Sequence, residues 1–159
     1  GSSGPKDVLL VLDTSGSMSG ITLDLLKNGA KRIINTLTVG DRISIVRFSD
    51  KAEVVGREKT MIPVTEDNKE MLRRAVDSFK ATGATNFYDA FNLVFKTLED
   101  TIKIEHHTRC NAAIIFFTDG EMSAPEWLTT QEDGGESEII RLVSDRKAII
   151  EEKIKRPLT

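Results

Sequence analysis

Apolar and polar positions along the chain follow two rhythms. Asp7 to Leu12 reads DVLLVL, a short apolar run closed by the polar cluster Asp13-Thr14-Ser15-Gly16-Ser17. That is the pattern of a strand covered on both faces in a parallel sheet. Leu23, Leu26, Ala30, Ile33, Ile34 and Leu37 then recur at helical spacing up to Gly40-Asp41, which predicts strand, loop and helix as the first unit. A second apolar run, Ile43 to Phe48, is followed after Ser49-Asp50-Lys51 by Ala52 to Val55, predicting a hairpin to a short edge strand. Pro63 marks a loop. Glu66 to Lys80 carries Met71, Leu72, Ala75, Val76 and Phe79 on one face, predicting a second helix that ends before Ala81-Thr82-Gly83-Ala84. A third helix is expected to start at Thr85, with Phe87, Phe91, Val94, Phe95, Leu98 and Ile102 as its buried stripe. Ala112 to Phe117 reads as another apolar strand, closed by Thr118-Asp119-Gly120. Glu121 to Glu136 is long, polar and glycine-containing and reads as an exposed loop, and Ser137 to about Lys155 reads as a last helix stopped by Pro157.

Strands alternating with helices predict an α/β fold: a doubly wound, mostly parallel sheet with helices on both faces and one antiparallel edge strand. Ligands in such sheets gather outside the carboxyl ends of the strands, and the clusters Asp13 to Ser17 and Thr118 to Gly120 both sit at such an end. A length of 159 residues with 39% apolar and 30% charged residues is that of one core-forming domain, not of a disordered or collagen-like chain. The opening Gly1-Ser2-Ser3-Gly4 reads as a tag remnant or flexible leader, so residues 1–5 are set apart from a domain spanning 6–159. With 22 basic against 25 acidic residues the net charge is -3, which leaves no basic field for nucleic acid. No apolar run approaches the roughly 18 residues of a membrane span, so no direct membrane insertion is expected. Cys110 is the only cysteine, which excludes an internal disulfide framework and a multi-cysteine zinc site.

Asp13, Ser15 and Ser17 alternate in what should be a tight strand-to-helix loop, where three oxygen side chains can converge while Gly16 permits the turn. Such oxygens are hard ligands suited to Mg²⁺, Mn²⁺ or Ca²⁺. Thr85 and Asp119 add further oxygens if their loops neighbour the first. Each residue also has a plain structural reading: Ser15 and Ser17 capping the first helix, Asp13 in a turn hydrogen bond, Thr85 as a helix N-cap, Asp119 as a turn residue. Their joint placement at one rim favours the cation site. The enzymatic alternative is Mg²⁺-dependent phosphoryl transfer or a hydrolase-like reaction. It lacks its parts: Ser15 stands where a second carboxylate would be needed, no G-x-x-x-x-G-K-[ST] loop is present, and the two histidines, His106 and His107, are adjacent. No enzyme is expected. His106-His107 reads as solvated loop, Cys110 as an inert thiol, Met18 as a lining of the contact rim, and Trp127 as either a loop anchor or a partner contact. The acids Glu121, Glu126, Glu132, Asp133 and Glu136 read as a solvated loop or as a source of one acid that caps the metal.

The three strings DVLLVLDTSGSMSG, GATNFYDA and AAIIFFTDG, in that order and spacing, resemble the von Willebrand factor type A domain with a complete metal-ion-dependent adhesion site. The likeness covers about Lys6 to Lys155. PKDVLLVLDTSGSMSGITLDLLK and TLTVGDRISIVRFS are similar, more narrowly, to the A domain of calcium channel alpha-2-delta subunits and of related extracellular proteins in which an A domain precedes Cache domains. The resemblance implies that Asp13, Ser15 and Ser17 form the first ligand loop, Thr85 the second and Asp119 the third, with some contacts through water. It further implies that Mg²⁺, or Mn²⁺ or Ca²⁺, keeps residual charge there and recruits an Asp or Glu carboxylate from a partner protein. An extracellular or cell-surface place within a larger protein follows from the same likeness. The family continues with a further strand and a final helix, so the last strand-helix units are expected to be missing. Ala112 to Phe117 would then be an open sheet edge, completed by a dimer or by a second chain.

Overall fold

Val8 to Leu12 offers no polar side chain to solvent, and all five residues are buried, so this strand needs cover on both faces. The computed structural model, which describes residues 5–105, 111–118, 138–144 and 149–154, supplies it. Strand β1 (Lys6–Asp13) lies between two parallel partners, β2 (Arg42–Phe48) and β5 (Asn111–Thr118), in registers that pair Asp13 with Phe48 and Leu12 with Phe117. Val8, Leu10 and Leu12 face one layer, where Leu26, Ala30, Ile33 and Ile34 of α1 (Ile21–Thr36) meet Leu72 and Val76 of α2 (Glu66–Ser78). Leu9 and Val11 face the other, against Phe87, Ala90, Phe91, Val94 and Leu98 of α3 (Phe87–Glu105). The expected α/β sheet wound on both faces is therefore present.

The chain leaves β1 through α1 to reach β2 on one side, then arrives at β5 on the other side of β1 after α3 on the opposite face. Strand order therefore reverses at β1, which opens a crevice beyond its carboxyl end. The antiparallel edge forms as expected from β3 (Ala52–Val54), with Val46 opposite Val54. The two-residue β4 (Ile62–Pro63) also pairs with β2, placing Pro63 on an edge strand where a missing N–H costs little.

Two expectations are corrected at the other side of the sheet. Residues read as a helix from Ser137 to Lys155 instead form strands β6 (Glu138–Ser144) and β7 (Ile149–Ile154), joined antiparallel with Ile140 opposite Lys153. Strand β5 is not an open edge, because β6 pairs antiparallel along it, Ile115 opposite Arg141. The segment is rich in β-branched residues (Ile139, Ile140, Val143, Ile149, Ile150, Ile154), whose doublets fit a helical and a strand period alike. The unpaired backbone of β5 decides between them, and with it goes the reason for a second chain to cover β5.

Helix starts differ in detail. Thr65 caps α2 by accepting the Asn68 N–H at 3.1 Å. Helix α3 begins two residues later than expected, at Phe87. Its start is held by a ring cluster in which Phe87 lies 5.2 Å from Phe48 and Phe91 lies 4.8 Å from Phe116, centroid to centroid. Where α1 crosses β5, a Cβ added to Gly29 would lie 2.8 Å from Cε1 of Phe117. The residues His106, His107, Cys110, Trp127 and the expected loop Glu121 to Glu136 lie outside the described residues.

Candidate metal centre

Asp13 ends β1 at the strand-order reversal and is fully buried. Its Oδ1 accepts the Ser15 backbone N–H at 2.9 Å, the turn bond expected of an aspartate here. Its Oδ2 accepts the Thr118 hydroxyl at 2.8 Å across 105 residues of chain. The parallel register makes that contact, since pairing Leu12 with Phe117 sets Thr118 beside Asp13. Among the described residues no lysine or arginine pairs with this carboxylate. A buried carboxylate with hydrogen bonds but no lysine or arginine partner among the described residues is an incomplete arrangement, because buried charges are ordinarily paired or metal-bound.

The chain then turns. Thr14 is fixed to the end of β2 by its N–H and hydroxyl, which donate to the Phe48 carbonyl at 2.9 and 3.2 Å. A single 3-10 turn, Gly16–Met18, follows. Ser15 is buried and Ser17 exposed, and their hydroxyl oxygens stand 3.0 Å apart. This spacing serves a hydrogen bond and also suits two adjacent ligands of one octahedral Mg²⁺, which at about 2.0–2.1 Å from the ion stand about 2.9 Å apart. Neither serine caps α1: the cap position is Gly20, at φ +83°, with no side-chain hydrogen bond. Met18, expected to line the rim, is instead fully buried beneath the turn.

The loop that carries Thr85 is bonded directly to this turn. The Gly16 N–H donates to the Gly83 carbonyl at 2.8 Å, and the Thr82 N–H donates to the Thr14 carbonyl at 3.0 Å. Thr85 is half-buried and is not the cap of α3. Asn86 takes that role, its Oδ1 accepting the Asp89 N–H at 3.0 Å, and the Thr85 hydroxyl has no hydrogen bond among the described residues.

The structure thus gathers Asp13, Ser15 and Ser17 in one turn and ties the loop of Thr85 to it, while Asp119 lies outside the described residues, next to Thr118. The donors fit a hard divalent cation: a buried carboxylate with no lysine or arginine partner among the described residues, and hydroxyls that add no charge. Among the described residues no three His, Cys, Asp or Glu side chains are placed to hold a metal, and the donors the turn itself offers are one carboxylate and two hydroxyls. Two contributors were not read from the sequence. Thr118 had a signal, a polar residue closing an apolar strand beside an aspartate. Asp50, in the β2–β3 turn, accepts the Ala84 N–H at 2.9 Å and shows only turn chemistry in the sequence.

A family model described as the von Willebrand factor type A domain matches residues 8–121. The human voltage-dependent calcium channel subunit alpha-2/delta-2 is 34% identical over 122 residues, covering 76% of this chain and 10% of that protein. The chain therefore spans about a tenth of the length of that relative. Among solved structures, a von Willebrand factor type A protein from Catenulispora acidiphila superposes with a TM-score of 0.58 at 21% identity, over 61% of this chain and 24% of that one. Proximal thread matrix protein 1 from the mussel byssus, solved with a zinc-occupied MIDAS motif, gives a TM-score of 0.52 at 21% identity, over 76% of this chain and 30% of that one. At these identities the two structures speak to the fold.

Proposed function

The chain belongs to the von Willebrand factor type A domain family, and from that premise we propose that it is a divalent-cation-dependent protein-binding domain. Asp13, Ser15, Ser17, Thr85 and Asp119 would hold Mg²⁺, or Mn²⁺ or Ca²⁺ in its place. The observation that carries this reading is the Asp13 carboxylate, buried with no lysine or arginine partner among the described residues, in the same turn as two hydroxyls 3.0 Å apart. Bound there, the ion supplies a positive pole that neutral hydroxyls do not cancel, so an acidic side chain of another protein is attracted to the open side. The chain's own residues do the rest. The Ser15 N–H and the Thr118 hydroxyl hold the Asp13 carboxylate in one orientation. Ser17, exposed at the turn, faces the partner's approach.

Binding rather than bond breaking is the better reading. A phosphoryl-transfer site of this kind needs a second carboxylate close to the first, and Ser15 stands in that place. Ile21, Leu25 and Tyr88 are exposed large apolar residues in the first turns of α1 and α3, the helices that leave the two loops. They give a partner apolar contact beside the acid. Similarity to alpha-2/delta subunits supports a place in a larger extracellular or cell-surface protein, of the kind that serves a calcium channel as an auxiliary subunit.

The test is a displayed peptide library with one fixed Glu, panned beside the same library with Gln, first in Mg²⁺ and then in EDTA. Recovery confined to the Glu library in Mg²⁺ is expected. Equal recovery in all four arms would contradict the proposal.

A further inference from the structure

The loop of Thr85 is clamped from two sides, and the second clamp is a residue outside the ligand set. Toward the first loop it is held by the Gly16 to Gly83 and Thr82 to Thr14 backbone bonds. Toward the β2–β3 turn it is held by Asp50. Its Oδ1 accepts the Ala84 N–H at 2.9 Å, one residue before Thr85, and its carbonyl accepts the Asn86 side-chain N–H at 3.1 Å, one residue after. The neighbouring Ser49 carbonyl accepts the Asn86 backbone N–H at 2.8 Å. The fit is close: a Cβ on Gly83, which has φ +81°, would lie 2.5 Å from Asp50 Oδ2. Asp50 is exposed and, among the described residues, pairs with no lysine or arginine. Asp50 thus engages both residues that flank Thr85, Ala84 through its carboxylate and Asn86 through its backbone carbonyl.

We propose that Asp50 is a positioning residue of the cation site, holding the Thr85 loop against the Asp13 turn through the Ala84 N–H. The inference rests on the cation-binding reading above. Its physical content is that the hydrogen bond, and not the charge, matters. An asparagine at 50 retains an acceptor oxygen for the Ala84 N–H, and an alanine removes it.

The experiment is Mg²⁺ titration by calorimetry of the whole chain and of Asp50→Ala, Asp50→Asn, Thr85→Val and the double variant Asp50→Ala/Thr85→Val. Amide exchange of Ala84 is followed without metal. Expected are a Kd raised about 10- to 100-fold in Asp50→Ala, as for residues that orient metal ligands, and near wild-type affinity in Asp50→Asn. The double variant should bind no worse than Thr85→Val, because Asp50 acts through Thr85, and Ala84 exchange should be faster in the two variants that carry Asp50→Ala and unchanged in Asp50→Asn and Thr85→Val. Equal losses in Asp50→Ala and Asp50→Asn would overturn the inference in favour of a charge effect, and unaltered affinity in Asp50→Ala would overturn it outright. Both results leave the cation site standing. A wild-type chain that takes up no divalent cation would overturn the site itself and this inference with it.

Discussion

Thr118 shows how much one hydroxyl can do at the end of a strand. It reaches from β5 to the Asp13 carboxylate at the end of β1, so the orientation of that buried carboxylate depends on strand register. Thr118→Val keeps the shape and removes the donor, and a Mg²⁺ Kd raised about 10-fold is expected from calorimetry, as for residues that orient ligands. An unchanged Kd would show that the Ser15 N–H alone orients Asp13. Legibility at this scale was uneven. The alternation Asp13, Ser15, Ser17 was visible because all three stand in one turn. That Asn86 and not Thr85 caps α3 turns on a local bond, three residues long, which either residue type could have made, whereas the grip of Asp50 on the second loop is a contact 34 residues apart, which no local spacing encodes.

Elements were readable where burial alone sets the pattern. Strand β1 had no polar side chain between Val8 and Leu12, and α2 and α3 carried one clear apolar stripe each, so tertiary packing and local preference agreed. Residues 138–154 were misread because apolar doublets satisfy both periods and the deciding partner, β5, is remote. Close packing of elements also makes predictions. Gly29→Ala gains up to about 1 kcal/mol of helix propensity but forces a Cβ against the Phe117 ring, an overpacking cost of about 1–3 kcal/mol. A net loss of about 1 kcal/mol is expected from denaturant unfolding, and a gain would mean that α1 shifts freely on the sheet.

At the opposite end of the sheet from the candidate metal centre, Asp41 joins the start of β1 to the segment before β2. Burial works to raise its pKa. The backbone N–H groups of Thr38 and Lys6, each at 2.9 Å, and the Lys6 ammonium at 3.3 Å outweigh that effect, and the pKa lies below its ordinary value. The folded pKa being depressed, its stabilisation is fully present above the unfolded value of about 3.9 and is lost as pH falls through the lower folded value. Asp41→Asn should therefore be less stable than wild type at pH 7, with a gap that narrows below about pH 4. A gap independent of pH would contradict that role.

At the largest scale, the reversal of strand order at β1 is what brings the other features together. It leaves a crevice beyond β1, into which the first turn falls, against which the second loop is bonded, and beside which β5 ends at Thr118. The wound α/β architecture was legible from alternating strands and helices. The complete sheet was not, because β6 and β7 are recruited by an edge and not by their own pattern. The most direct measurement is a calorimetric titration of Mg²⁺ into the wild-type chain and into Asp13→Ala, with circular dichroism to show that both are folded. One ion per chain in the wild type and none in the folded variant is the predicted result; the same titration curve from both proteins would contradict the account.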